Sequence, residues 1–213
     1  MKKYLLLTAM MLIISGFIYS NETNEAVLVE FNQLQSESSI AIDDWRVIHP
    51  PASQTNNSLT RSYIREVQSR LHGTIMGVRI YFPPELRRFP TQVTIQPPTE
   101  NGIGRLEIEG GIRLRSVSMN VNSLYLPVGL GISLSIRVND RDNMTLPMGD
   151  LNFEGWRELV WHNPNLARER ENNTGFYDSV SFNNFIVHNI AEHDGDTIFY
   201  IRDVKLSYDT YED

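Results

Sequence analysis

The residues best suited by type to do chemistry are five histidines: His49, His72, His162, His188 and His193. No two stand at the i,i+4 spacing that puts two zinc ligands on one helical face, and no His-Glu-x-x-His occurs. His188 and His193 lie close to Asp194 and Asp196, a set that would suit a cation. The run His193-Asp194-Gly195-Asp196 is turn chemistry, however, and predicts a solvated hairpin tip. Asp140-Arg141-Asp142-Asn143 starts like a calcium loop but lacks the Gly and the distant Glu of that pattern. It too reads as a hairpin tip. Gly-x-Ser-x-Gly is absent, so no nucleophile elbow is indicated. Carboxylates are plentiful, and two of them could flank a sugar as in a glycosidase, yet no local pattern singles out a pair. With no Cys, thiol chemistry and disulfides are excluded. The residues predict no catalytic group, no metal site and no cofactor.

The elements that carry these residues read as strands. Apolar and polar residues alternate at Ile132, Leu134, Ile136 and Val138, the pattern of one buried strand face. Ile112 and Leu114 alternate too, and Val117, Met119 and Val121 continue one place out of phase, which predicts a β-bulge. Further strands are expected at 27–31, 40–48, 74–82, 92–96, 102–111, 182–187 and 198–206. On the last of these, Ile198, Tyr200, Arg202 and Val204 would share one side, with Phe199, Ile201 and Asp203 on the other. Residues 124–130, with Pro127 and Gly129, read as a connection at a sheet edge. Leu59 to Leu71 fits a helical stripe and a strand about equally, and Asn163 to Asn173 fits one helical turn or a loop. Leu146 to Trp161 reads as the organising stretch: a turn at Pro147 and Gly149-Asp150, a bend at Gly155, then a strand from Trp156 with that indole in the core. Many short strands with Gly/Pro turns predict an all-β chain. The expected architecture is a single β-sandwich or jelly roll of the galactose-binding-like type, with at most one or two short helices.

The N-terminus has a different composition. Lys2-Lys3 precede an apolar run from Tyr4 to Tyr19, the features of a cleaved secretory leader over residues 1–20. The run is shorter than the ~20 residues a membrane-spanning helix needs. The mature chain would start near Asn21, with the sandwich over 21–206 and an acidic, frayed tail over 207–213. Loss of Lys2 and Lys3 takes the formal charge from -7 to -9. Such acidity argues against nucleic acid or anionic lipid as the main partner. No membrane span is expected after leader removal. An exported chain without disulfides must hold itself together by burial.

Several ordered segments resemble one family. They are Gly77-Val78-Arg79-Ile80-Tyr81-Phe82-Pro83, Ile95-Gln96-Pro97-Pro98, and the run from Gly111 to Leu159. That run includes Leu130-Gly131-Ile132-Ser133-Leu134 and Leu151-Asn152-Phe153-Glu154-Gly155-Trp156. The closing stretch from Asp194-Gly195-Asp196 to Asp203-Val204-Lys205 is similar as well. Together they resemble the spirochaete periplasmic flagellar filament outer-layer (sheath) proteins, the FlaA family. The resemblance implies an exported, non-enzymatic structural protein on the periplasmic flagellum. It would coat core flagellin alongside other sheath proteins and influence filament stiffness, curvature and motility. It carries over no catalytic residue and assigns no partner-binding residue.

A second expectation comes from fold type alone. Jelly rolls often bind carbohydrate through an aromatic platform, and Trp45, Trp156, Trp161 and Tyr125 are the candidates for sugar stacking. The competing reading places those rings in the core, where bulky aromatics usually sit.

Overall fold

Period-two patterning becomes one-sided burial when strands pair, and the long strands of this chain show it directly. The computed structural model describes residues 23–30, 41–51, 54, 56–86, 90–98, 107–124, 129–189 and 193–211. The leader, Gly102 to Leu106, Tyr125 and Pro127 lie outside the described residues.

The strands are β1 (Asn24–Glu30), β2 (Arg46–Ile48), β3 (Tyr63–Ser69), β4 (Gly73–Phe82), β5 (Thr91–Gln96), β6 (Glu107–Ser123), β7 (Leu130–Val138), β8 (Asp142–Asp150), β9 (Gly155–His162), β10 (Tyr177–Asn189) and β11 (Gly195–Thr210). Two short helices join them, α1 (Asn56–Arg61) and α2 (Leu166–Glu171). One layer runs β3-β4-β11-β6-β9, with β1 beside the second half of β11. The other runs β2-β5-β10-β7-β8. The start of β6 also pairs with the start of β10 and so ties the layers together. All of these pairings are antiparallel, so each strand can bury one face and show water the other. The all-β sandwich expected from sequence is the observed fold.

The core fills the space between the layers. Ile112, Leu114, Val117, Met119 and Val121 of β6 meet Leu130 to Val138 of β7, Phe185 and Val187 of β10, and Phe199, Ile201 and Val204 of β11. Trp45 is buried with them, stacks on Phe185 at 6.2 Å between ring centres, and meets Phe182 in a tilted contact at 5.5 Å.

The phase slip in β6 is the expected bulge: Ser116 pairs with Ser207 and Leu114 with Tyr208, which leaves Arg115 without an opposite residue. A second bulge corrects the reading of β11. Ile201 pairs with Val121 and Val204 with Met119, so β11 carries an extra residue there and changes face. Val204 and Leu206 therefore point inward with Phe199 and Ile201, not outward with Tyr200. A third bulge on β10, at Asn183, explains why Phe182 and Phe185 share a face at a spacing of three.

Other expectations are corrected as well. Pro147, Gly149 and Asp150 make no turn. They lie within β8, an edge strand whose bulge at Met148 absorbs the irregularity. Edge position is what makes Pro147 tolerable, because no ladder donor is missed there. The bend at Gly155 is real and has φ 81, a conformation that favours glycine. Trp156 is not a core residue: it stands half-exposed on the outer face of β9, while Leu159 points inward. Leu59 to Leu71 is neither one helix nor one strand. It is the end of α1 followed by β3. The tail does not fray at 207, because β11 continues to Thr210 and Tyr211 N–H still donates to the Gly111 carbonyl at 2.9 Å.

Phe185 is fully buried at the middle of this core. Phe185→Ala is expected to cost ~3–5 kcal/mol, read as a drop in the thermal unfolding midpoint. A midpoint equal to the wild type would contradict the packing described.

Candidate functional site: polar clusters and the outer face

Two aspartates gather five arginines between them. Asp209, 2% exposed on β11, accepts from Arg113 Nε at 3.2 Å and Nη2 at 3.0 Å, and from Arg170 Nε at 3.0 Å and Nη2 at 2.9 Å. Arg115, on the β6 bulge, adds an ion pair at 3.7 Å. Burial pushes the Asp209 pKa up, and the hydrogen bonds and charges of Arg170 and Arg113 overcome it, so the carboxyl lies below its usual range. Arg113 also reaches the Glu169 carbonyl, and the Glu169 carboxylate accepts from Asn163 Nδ2 at 2.8 Å. Gly175 makes that arrangement possible. It has φ 81, and a Cβ there would meet the Glu169 carboxylate at 2.5 Å. The cluster fastens α2 to the sheet.

At the other end of β11, Asp196 accepts from Arg79 Nη2 at 2.8 Å and Nε at 3.1 Å, and from Arg61. Hydrogen bonding from Arg79 is the main cause of the lowered Asp196 pKa. The Arg61 guanidinium lies over the Tyr81 ring at 4.1 Å, and Arg79 sits 5.8 Å from the Tyr63 ring. This set joins α1, β3, β4 and β11 on the outer face.

The histidines are placed separately, and three of them lie within hydrogen-bond reach of a hydroxyl. His49 Nε2 lies 2.8 Å from Ser62 Oγ, His188 Nε2 2.9 Å from Ser133 Oγ, and His193 Nε2 2.7 Å from Thr197 Oγ1. His72 meets the Trp156 ring edge-on at 4.7 Å. His188 and His193 do not converge on a shared point, and among the described residues no three His, Asp or Glu side chains form a group able to hold a metal ion. The hairpin reading of Asp140-Asn143 holds. Asn139 and Asp140 have φ 51 and 59, and Arg141 N–H donates to the Val138 carbonyl at 3.2 Å. A cleft of about 550 Å³ beside this tip is lined by Glu109, Asp140, Asp178, Asn139 and Ser179 with Gly110 and Gly111.

The stacking candidates do not assemble into a platform. Trp45 is in the core, Trp156 and Trp161 point to opposite faces of β9, and Tyr125 lies outside the described residues. What the sequence did not reveal is the pair of arginine-aspartate clusters. Their members lie up to 135 residues apart in the chain.

These observations define an all-β sandwich whose polar clusters clamp strands and helices together. The chain belongs to the flagellar filament outer layer protein family, FlaA, whose sequence model matches residues 15–212. It is 28% identical over 221 residues to a flagellar filament outer layer protein of Spirochaeta aurantia, covering 90% of this chain and 65% of that protein. It is 27% identical over 215 residues to one of Treponema pallidum (strain Nichols), covering 81% and 61%. The chain thus spans less than two thirds of the length of these relatives. Among solved structures, it is similar to a carbohydrate-binding module in complex with β-1,4-galactotriose (TM-score 0.44, 8% identity, 85% of this chain and 97% of that one). It is also similar to a β-1,2-glucanase from Parabacteroides distasonis (TM-score 0.47, 14% identity, 84% and 24%).

The Asp209 cluster and the buried histidines each lead to an expected outcome. Asp209→Asn leaves Arg113, itself 5% exposed, without its counter-charge. Removing one partner of a buried pair costs ~3–5 kcal/mol, so urea unfolding of the variant should shift to a clearly lower midpoint. An unshifted curve would mean that Asp209 is not a clamp. The second concerns pH. Burial lowers the pKa of His49 and His188, and of His193 against a partial upward pull from Asp194. The unfolded chain takes up these protons near pH ~6.5, whereas the native chain takes them up only at lower pH. Stability is therefore full above that value and falls as pH drops through the native pKa values. Asp196 and Asp209 titrate below the ordinary carboxylate range and leave this window to the histidines. Thermal melts should show a midpoint that declines from about pH 7 to about pH 5; a flat profile would contradict the burial of these rings.

Proposed function

We propose that this protein is a structural subunit of the outer layer of a periplasmic flagellar filament. It coats the flagellin core, contacts neighbouring sheath proteins, and acts through those contacts and not by catalysis. The observation that carries this reading is the family match, which runs through the whole described sandwich. The chemistry agrees. Asp196, Asp209 and their arginines clamp secondary structure to secondary structure, and three of the histidines lie against hydroxyls. The Lys2-Lys3 start and the apolar run after it supply an export route, with the mature chain beginning near Asn21.

A coat subunit influences mechanics because contacts repeat along a filament. A small preference of each subunit for one curvature sums over many copies, as any ligand shifts an equilibrium by its differential affinity for two states. Stiffness, curvature and hence swimming are the properties it tunes.

In a deletion strain, filaments should still assemble, with altered diameter and curvature by electron microscopy and with impaired swimming. The protein should cosediment with purified wild-type filaments. Filaments of wild-type diameter and shape in normally swimming deletion cells, with the protein only in the supernatant, would refute the reading.

A further inference from the structure

We propose that the outer edge of β9 is a strand-pairing interface for a second copy of this chain. The inference rests on edge geometry and stands whether or not the sheath reading does.

Exposed strand edges invite pairing with another chain, and soluble β-proteins normally block them. Four open edges here carry such a device. β3 offers its Glu66 N–H to the Asp43 carboxylate at 3.0 Å. β8 carries Pro147 and the bulge at Met148. β2 spans only Arg46–Ile48 and runs into Pro50-Pro51. β1 has a bulge between Val27 and Val29. β9 differs. It pairs with β6 in unbroken register from Gly155 to His162, contains no proline, and among the described residues pairs with no other strand. Val160 on it is 39% exposed.

The ladder shows which groups face out. Asn163 N–H donates to the Arg115 carbonyl, next in register after the His162–Ser116 pair. In an antiparallel ladder, hydrogen-bonded pairs alternate. Trp161, Leu159 and Arg157 are therefore the residues bonded to β6. The N–H and C=O groups of Trp156, Glu158, Val160 and His162 point to the open edge.

The strand is complementary to itself. Antiparallel pairing of two β9 strands about a two-fold axis must join residues from that outward set. A register centred on Glu158 is disfavoured, because it sets two like charges opposite each other. Centring on Leu159 places Trp156 opposite His162 of the second copy and Glu158 opposite Val160, with about eight backbone hydrogen bonds. On the inner face it sets Leu159 against Leu159, and Arg157, which lies over the Phe153 ring at 4.6 Å, against Trp161. Trp156 already packs edge-on against one imidazole, His72. The contact is isologous, so it closes as a dimer and leaves the remaining surfaces to other partners.

The test is sedimentation velocity of the purified protein over a concentration series, with hydrogen exchange at both ends of the series. A monomer–dimer equilibrium is expected, with concentration-dependent protection of the Trp156, Glu158, Val160 and His162 amides. V160P removes an outward donor without touching the β6 ladder, and V160K adds an edge charge. Each should raise the dissociation constant at least about tenfold. L71K, at another exposed apolar residue, should not change it. A wild-type protein that stays monomeric throughout overturns the proposal. So does a dimer that leaves those four amides unprotected, a result that needs no variant to fold. If the dimer forms as expected and the protein nonetheless fails to sediment with filaments, the sheath reading fails and this one stands.

Discussion

Strand β6 has to serve two sheets. Its first residues pair with β10, and its remainder runs between β11 and β9. A straight strand cannot do both, because the layers of a sandwich diverge. The change of partner falls at Gly110-Gly111, with φ 101 and 52, where a side chain would be strained. Tyr177 pairs with Ile112 and Ser179 with Glu109, so the ladder to β10 slips across these glycines. Everything that follows on β6 depends on that slip: Ile112 and Leu114 face the core, and Arg113 reaches the Asp209 carboxylate.

The Asp209 cluster sits directly beyond the switch. Three arginines around one buried carboxylate bring β6, β11 and α2 to one point without a disulfide. Burying an ion pair is costly, and the gain over an apolar equivalent is small. What such a set supplies is a defined register. β6 and β11 each carry a bulge, and alternative registers would leave Arg113 or Asp209 buried without a partner. Asp196 and its arginines repeat the device near the other end of β11, in a more exposed place where each ion pair contributes less. The result is a sandwich whose strand β11 is pinned near both ends, to β4 and α1 at one and to β6 and α2 at the other.

The bulges also set what the surface offers. The extra residue on β11 turns Arg202 outward while Asp203 accepts from Asn120 at 2.7 Å. The bulge in β8 spoils one sheet edge, while the unbroken ladder of β9 leaves the other regular. Irregularity in this fold is thus distributed: it lies where strands change face and along edges that are closed to pairing.

Much of the fold was legible in the residues. The alternation of Ile132, Leu134, Ile136 and Val138, and the slip between Leu114 and Val117, are local signals carried by neighbouring side chains. They predicted strands and a bulge that the structure contains. The bend at Gly155 was equally local. Tertiary structure alone decided the rest. Arg113 and Asp209 are 96 residues apart, and nothing near either one marks it as buried. An acidic tail reads as frayed until a register places its carboxylate among three guanidiniums. Trp156 reads as core until the pairing of β9 turns it outward, while Trp45, in an unremarkable short segment, is the indole that reaches the interior. The physical reason is the range of the information. A two-residue period is written in the chain itself, whereas burial of a charge or an indole depends on which distant strand lies beside it and in which register.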